Sequence, residues 1–245
     1  MRYFLELSYL GTHYHGWQSQ PNALGVQAVI EEKLTILLRQ PINIVGSGRT
    51  DTGVHAAQQY AHFDYEQPLR LSPLVRGLNA LLPSDIAIHE IHPVEPEAHA
   101  RFDATSRSYR YVLSRQKNPF LQQTAYQYDR PLDLNGMNQA AKILYDITDF
   151  ESFSKVHTDV KTFNCVVYEA YWEVQTEDVW VFHITANRFL RGMVRAIVGT
   201  LLEVGLGKIS LPAFERIIAK KDRRQASAAA PPQGLSLCRV KYPYL

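Results

Sequence analysis

GSGRTDTGVHA, residues 46–56, joins two runs with strand character. Residues 42–45 upstream are rich in β-branched side chains, and residues 58–63 downstream read as a second strand. Three glycines, Gly46, Gly48 and Gly53, surround one carboxylate, Asp51, and one guanidinium, Arg49. Glycine permits backbone dihedrals and close approaches that other residues resist. A loop held between two strands is presented by a rigid scaffold. The spacing of Gly48 and Gly53 fits a phosphate-binding loop, but Val54 stands where that pattern needs lysine. No strand-to-helix switch follows either, so a phosphate loop is excluded. Two readings stay open from the residues alone. Asp51 either caps backbone amides in a tight turn or is a reactive carboxylate held out for chemistry.

Working outward, residues 2–9 are rich in Tyr, Phe and Leu and alternate as a strand does. Apolar residues at 26, 29, 30, 34, 37 and 38 have helical spacing, which Pro41 ends. A helix is expected over 73–82 with Ser72 as N-cap, and a strand over 86–94. Residues 93–108 lack periodicity and hold two prolines, which places a domain junction near 104 and divides the chain into 1–104 and 105–245. The second half repeats the style. Strands are expected over 109–113, 166–174, 179–186 and 235–240. Helices are expected over 134–147 with Asp133 as N-cap, over 188–204 and over 211–220. Strands beside amphipathic helices, with hairpin neighbours, predict an α+β fold of mainly antiparallel sheet.

The chain has 245 residues, 46% of them hydrophobic, and can bury a sizeable core. No run approaches the roughly 20 apolar residues of a membrane span. Residues 1–10 read as a strand and not as a signal peptide. Cys165 and Cys238 lie far apart without ligand spacing, which fits a reducing cytoplasmic setting. Net charge is only +2, but it is unevenly spread. Residues 181–245 carry eleven Lys or Arg against three Asp or Glu, and residues 1–180 carry fifteen against twenty-one. Such asymmetry suggests a basic surface facing a polyanion. His13, His15, His55 and His62 have no recognised ligand spacing, so no metal site is expected.

Five blocks carry a family resemblance. GRTDTGVHA resembles the G-R-T-D-x-G-V-H-A signature of the TruA-type tRNA pseudouridine synthases, whose Asp is the catalytic residue. YLGTHYHGWQSQ (9–20) resembles the family's opening segment, with Leu10 where Asp is usual. NALLPSDIAI (79–88), HARFDATSRSYRYVL (99–113) and NRFLRGMVRAIVGTLLEVG (187–205) resemble three further blocks, in the family's order. The resemblance implies two α+β halves related by a pseudo-twofold with the active-site cleft between them. It also implies a homodimer and uridine targets at positions 38, 39 and 40 of the tRNA anticodon stem-loop. No organic or other small-molecule cofactor is implied.

The roles follow from the chemistry. Pseudouridylation breaks the N1–C1′ bond of uridine and rejoins the ring through C5. An ionised carboxylate beside the ribose can attack C1′ or assist a glycal route, and the resemblance gives this role to Asp51. A guanidinium offsets the cost of burying that charge. The resemblance pairs Arg195 with Asp51 and gives Arg49 a part in flipping the nucleotide. Tyr109 corresponds to the family's active-site tyrosine. Its ring can stack on an extruded uracil, whereas a phenol is a poor base at neutral pH. Arg188, Arg191 and Arg195 recur at i, i+3 and i+7, so a helix over 188–204 would align them on one face toward RNA phosphates. Lys155, His157, Lys161, Lys220, Lys221, Arg223 and Arg224 are weaker candidates for backbone contact. Two rival readings are a hydrolase pairing Asp51 with Asp85 or Asp103, and an RNA-binding protein without catalysis.

Overall fold

The computed structural model describes residues 1–156 and 160–245, so the expectation for His157 lies outside the described residues. In chain order the elements are β1 (Arg2–Tyr9), α1 (Val26–Leu38), β2 (Val45–Gly46), β3 (His55–Asp64), α2 (Leu71–Leu81), β4 (Ile86–Val94), β5 (Ser106–Ser114), β6 (Tyr126–Gln127), α3 (Leu134–Ile143), β7 (Val167–Thr176), β8 (Val179–Ala186), α4 (Met193–Gly205), α5 (Leu211–Ala219) and β9 (Leu235–Lys241). The fold is α+β, and antiparallel pairing predominates. No helix among the described residues is long and apolar enough to cross a membrane.

The chain divides into two compact units, Met1–Thr105 with Ser236–Leu245, and Ser106–Leu235. In the first, β1 lies between β3 and β4, antiparallel to both. β2 pairs with β3, and β9 adds a short parallel contact at His55↔Ser236. Tyr3, Leu5, Leu7 and Tyr9 alternate along β1 and are buried. The last ten residues join this unit for a physical reason. The ring of Tyr242 meets Phe4 and Tyr60 edge-on, each at 5.3 Å, and its hydroxyl donates to the Ala100 carbonyl. Thr105 N–H donates to the Lys241 carbonyl at 2.8 Å. These partners lie far apart in sequence, so periodicity gives no sign of them.

The same core buries His62, whose Nδ1 accepts the Ala100 N–H at 3.1 Å. Burial pushes this imidazole down to about 4, helped by the nearby positive charge of Arg2. The unfolded chain therefore binds the extra proton between pH 6.5 and 4, so stability is full above 6.5 and is lost as pH falls toward 4. Moving from pH 7 to pH 5 is expected to cost on the order of 2 kcal/mol through this residue. Denaturant titrations should show that loss shrink in His62→Asn, which keeps an acceptor but does not titrate.

In the second unit β8 lies between β5 and β7, antiparallel to both, and β6 pairs parallel with β5. Asp133 caps α3 as expected, accepting the Gly136 N–H at 3.0 Å. α4 buries all its residues except Arg195 and Glu203. The hairpin of β7 and β8 matches the expectation to within two residues at each end.

Four local expectations are corrected. Residues 42–44 lie outside the sheet, because α1 side chains take the amides of Ile42 and Ile44. Ile42 N–H donates to Thr35 Oγ1 at 3.2 Å and Ile44 N–H to Glu31 Oε1 at 2.9 Å. Ser72 does not cap α2, since Arg70 holds the N-cap position and Ser72 and Pro73 fall in the first turn. That turn tolerates proline because its N–H groups have no helical acceptor. Helix α3 stops at Ile143, and a 3₁₀ turn covers Leu144–Asp146. Most consequentially, α4 starts at Met193 and not at 188. Asn187 Oδ1 accepts the N–H groups of Val166 and Arg188, both at 2.8 Å, and Gly192 is left-handed at φ +73°. Arg188 and Arg191 therefore precede the helix, and the expected arginine stripe does not form.

Candidate functional site

The 46–56 loop is fixed by backbone contacts with the 9–20 segment. Ser47 N–H donates to the Tyr60 carbonyl at 2.7 Å where the loop leaves β2. Val54 N–H donates to the backbone carbonyl of Asp51 at 3.1 Å, which closes the turn. The turn therefore closes through the backbone carbonyl of Asp51. Trp17 N–H donates to the Thr50 carbonyl and Gly53 N–H to the Tyr14 carbonyl, both at 3.3 Å. Two glycines make this approach possible. A Cβ on Gly11 would sit 2.0 Å from the Val54 carbonyl oxygen, and one on Gly16 would sit 2.3 Å from that of Thr50. The Gly11 N–H donates to Nδ1 of buried His55 at 2.9 Å. Two blocks quoted separately from the sequence thus form one hydrogen-bonded assembly. Within it Asp51 is half-buried and Arg49 exposed.

The 79–88 block completes the anchorage. Tyr14 hydroxyl donates to Asp85 Oδ1 at 2.6 Å, and the Leu10 N–H donates to the Asp85 carbonyl at 2.9 Å. Burial and this carboxylate push the Tyr14 phenol well above its ordinary value. Leu10 supplies no side-chain acceptor, and Asp85 holds the segment instead. Asp103 is likewise engaged: it accepts the His99 N–H at 2.7 Å and the Tyr244 hydroxyl at 2.9 Å, which hold its carboxyl below the usual range. Both carboxylates named for a hydrolase thus have structural partners. Of the four histidines noted in the sequence, His55 and His62 accept backbone N–H groups, and His13 and His15 are exposed.

In the second unit, Tyr109 on β5 meets Phe189 edge-on at 5.0 Å. Phe189 belongs to the 187–192 segment, which also carries Arg188 and Arg191. Lys155 N–H donates to the Arg191 carbonyl at 2.9 Å, so Lys155 joins this group, which periodicity could not foresee. Arg188 is half-buried, and its positive charge partly offsets the burial that pushes the Cys165 thiol up to about 11. Arg195, in the first turn of α4, donates from Nε to the Ala230 carbonyl at 2.7 Å, and its backbone carbonyl accepts the Ala230 N–H at 2.9 Å. The KKDRR cluster is partly neutralised. Lys221 pairs with Asp149 at 2.7 Å, Arg224 pairs with Asp222 at 2.9 Å, and Arg223 donates to the Ala226 carbonyl at 3.1 Å.

The α+β chain thus presents one carboxylate and one guanidinium together on a backbone-pinned loop. The pattern of the tRNA pseudouridine synthase family matches residues 7–103 and 140–243, and the chain belongs to that family of isomerases. Arg49, Asp51 and Arg195 fall in the matched stretches, and Tyr109 lies between them. The chain is 54% identical over 243 residues to the tRNA pseudouridine synthase A of Parabacteroides distasonis, covering 99% of this chain and 96% of that protein. It is 51% identical over 243 residues to the protein of the same name in Bacteroides fragilis, at the same coverage. With that of Geobacillus sp. it shares 40% identity over 239 residues, 96% of each chain.

Proposed function

We propose that the protein converts uridine to pseudouridine at positions 38, 39 and 40 of the tRNA anticodon stem-loop, acting in the cytoplasm as a homodimer. The observation that carries this is the 46–56 loop, pinned at Thr50 and Gly53 around a half-buried Asp51, in a chain of this family. As the N1–C1′ bond breaks, Asp51 either attacks C1′, in a bond broken again when C5 takes its place, or assists a glycal route. The base turns, C5 bonds to C1′, and the proton on C5 is exchanged for one on N1, so RNA mass is unchanged. Arg49 assists extrusion of the nucleotide. Arg195 balances the carboxylate charge. Arg188, Arg191 and Lys155 contact phosphates, which offset the few kcal/mol that flipping costs. Several adjacent targets call for recognition by shape and backbone, as structured RNA is commonly read.

Tyr109 stacks on the extruded base, a contact worth about 1–3 kcal/mol. Tyr109→Phe keeps the ring, so turnover is expected to stay within about ten-fold of wild type, and Tyr109→Ala is expected to fall well below it. Equal losses in both variants would assign the essential role to the hydroxyl. The activity itself is tested by incubating the protein with unmodified tRNA transcripts and mapping pseudouridine at single-nucleotide resolution. Modification at 38–40 is expected. Release of free uracil would make the protein a hydrolase, and bound but unchanged tRNA would make it a binding protein.

A further inference from the structure

Beneath the 46–56 loop runs a chain of buried polar side chains to which the reaction above assigns no role. Tyr9 ends β1 and is 3% exposed, and Gln59 on β3 is fully buried. The register of β1 on β3 shifts between Leu7 and Tyr9, an irregularity of the kind that re-aims a side chain. Tyr9 hydroxyl lies 2.9 Å from Thr50 Oγ1 and donates to Gln59 Oε1 at 3.4 Å. Gln59 Nε2 donates to the Gly48 carbonyl at 3.4 Å. Between Tyr9 and Thr50 either hydroxyl can be the donor. The path therefore leaves the loop at Thr50 and returns at Gly48. It straddles Arg49 and stops one residue short of Asp51. The Tyr9 ring lies 6.1 Å from that of Trp17, whose backbone N–H donates to the Thr50 carbonyl.

We propose that Tyr9 and Gln59 are positioning residues for the isomerisation, fixing residues 48 and 50 so that Arg49 and Asp51 are presented in one direction. This rests on the proposed activity. A fully satisfied buried network makes its members rigid, and rate is sensitive to displacements of about 1 Å at a reacting group. A merely structural pair would act on the β1–β3 ladder, which has its own backbone pairing.

The test measures single-turnover pseudouridine formation and tRNA affinity separately. Tyr9→Phe is expected to slow turnover roughly 10- to 100-fold with affinity within about two-fold of wild type. Thr50→Val, a change on a half-exposed loop residue and so less hazardous to folding, is expected to match it. Thr50→Ser, which keeps the hydroxyl, is expected to restore most of the rate. The Tyr9→Phe/Thr50→Val double variant should be no slower than the slower single one, since both break one path. Turnover near wild type in Tyr9→Phe, additive losses in the double variant, or parallel losses of affinity and rate would overturn the proposal. An inactive wild-type protein would instead overturn the activity itself, and the positioning role with it.

Discussion

Asp51→Asn is expected to lower single-turnover pseudouridine formation by roughly 10³-fold or more, the scale of losing a group that takes part in bond making. The amide is nearly the same size as the carboxylate but carries no charge to meet the ribose. The loop should survive the change, because its turn closes through the Asp51 backbone carbonyl and is held from Tyr14 and Trp17 by backbone bonds. Affinity for tRNA should therefore change little, and melting should stay close to wild type. The measurement pairs a rate assay with a binding titration on the same preparation. Full isomerisation by the variant would remove Asp51 from the chemistry. A collapse of binding together with rate would recast the residue as part of the RNA-docking surface.

Gly16→Ala is expected to damage both stability and activity. Gly16 sits at φ +88°, where a side chain costs about 1–2 kcal/mol. The new Cβ would also sit 2.3 Å from the Thr50 carbonyl oxygen, an overpacking that costs about 1–3 kcal/mol more. The backbone cannot yield there without moving Thr50, the residue before Asp51. Urea denaturation should therefore show a loss of roughly 2–5 kcal/mol, accompanied by slower turnover. Gly48→Ala is the contrast, since a Cβ there meets nothing within 4 Å and the backbone is not left-handed. Its stability should stay within about 1 kcal/mol of wild type. Equal stability losses in the two variants would show that conformational freedom, and not close approach, sets the cost.

Much of this protein was legible in its sequence because the signals are local. Alternation along 2–9 and 179–186 marked strands, Asp133 marked the start of α3, and glycines around one carboxylate marked a presented loop. The five motif blocks marked the family. The sequence did not reveal how those blocks meet. Gly11 and Gly16 admit the 46–56 loop only because its carbonyl oxygens lie against them, and Asp85 holds Tyr14 across seventy-one residues.

Periodicity also misled where side chains captured backbone amides. Asn187 ends β8 and delays α4, so three arginines at helical spacing do not share a helix. Glu31 and Thr35 take the amides that would have made residues 42–44 a strand. Sequence by itself therefore determined most of the elements and the family, and it singled out Asp51 as the candidate carboxylate. Tertiary structure alone decided what grips that carboxylate's loop, because hydrogen bonds between residues distant in the chain leave no periodic trace in it.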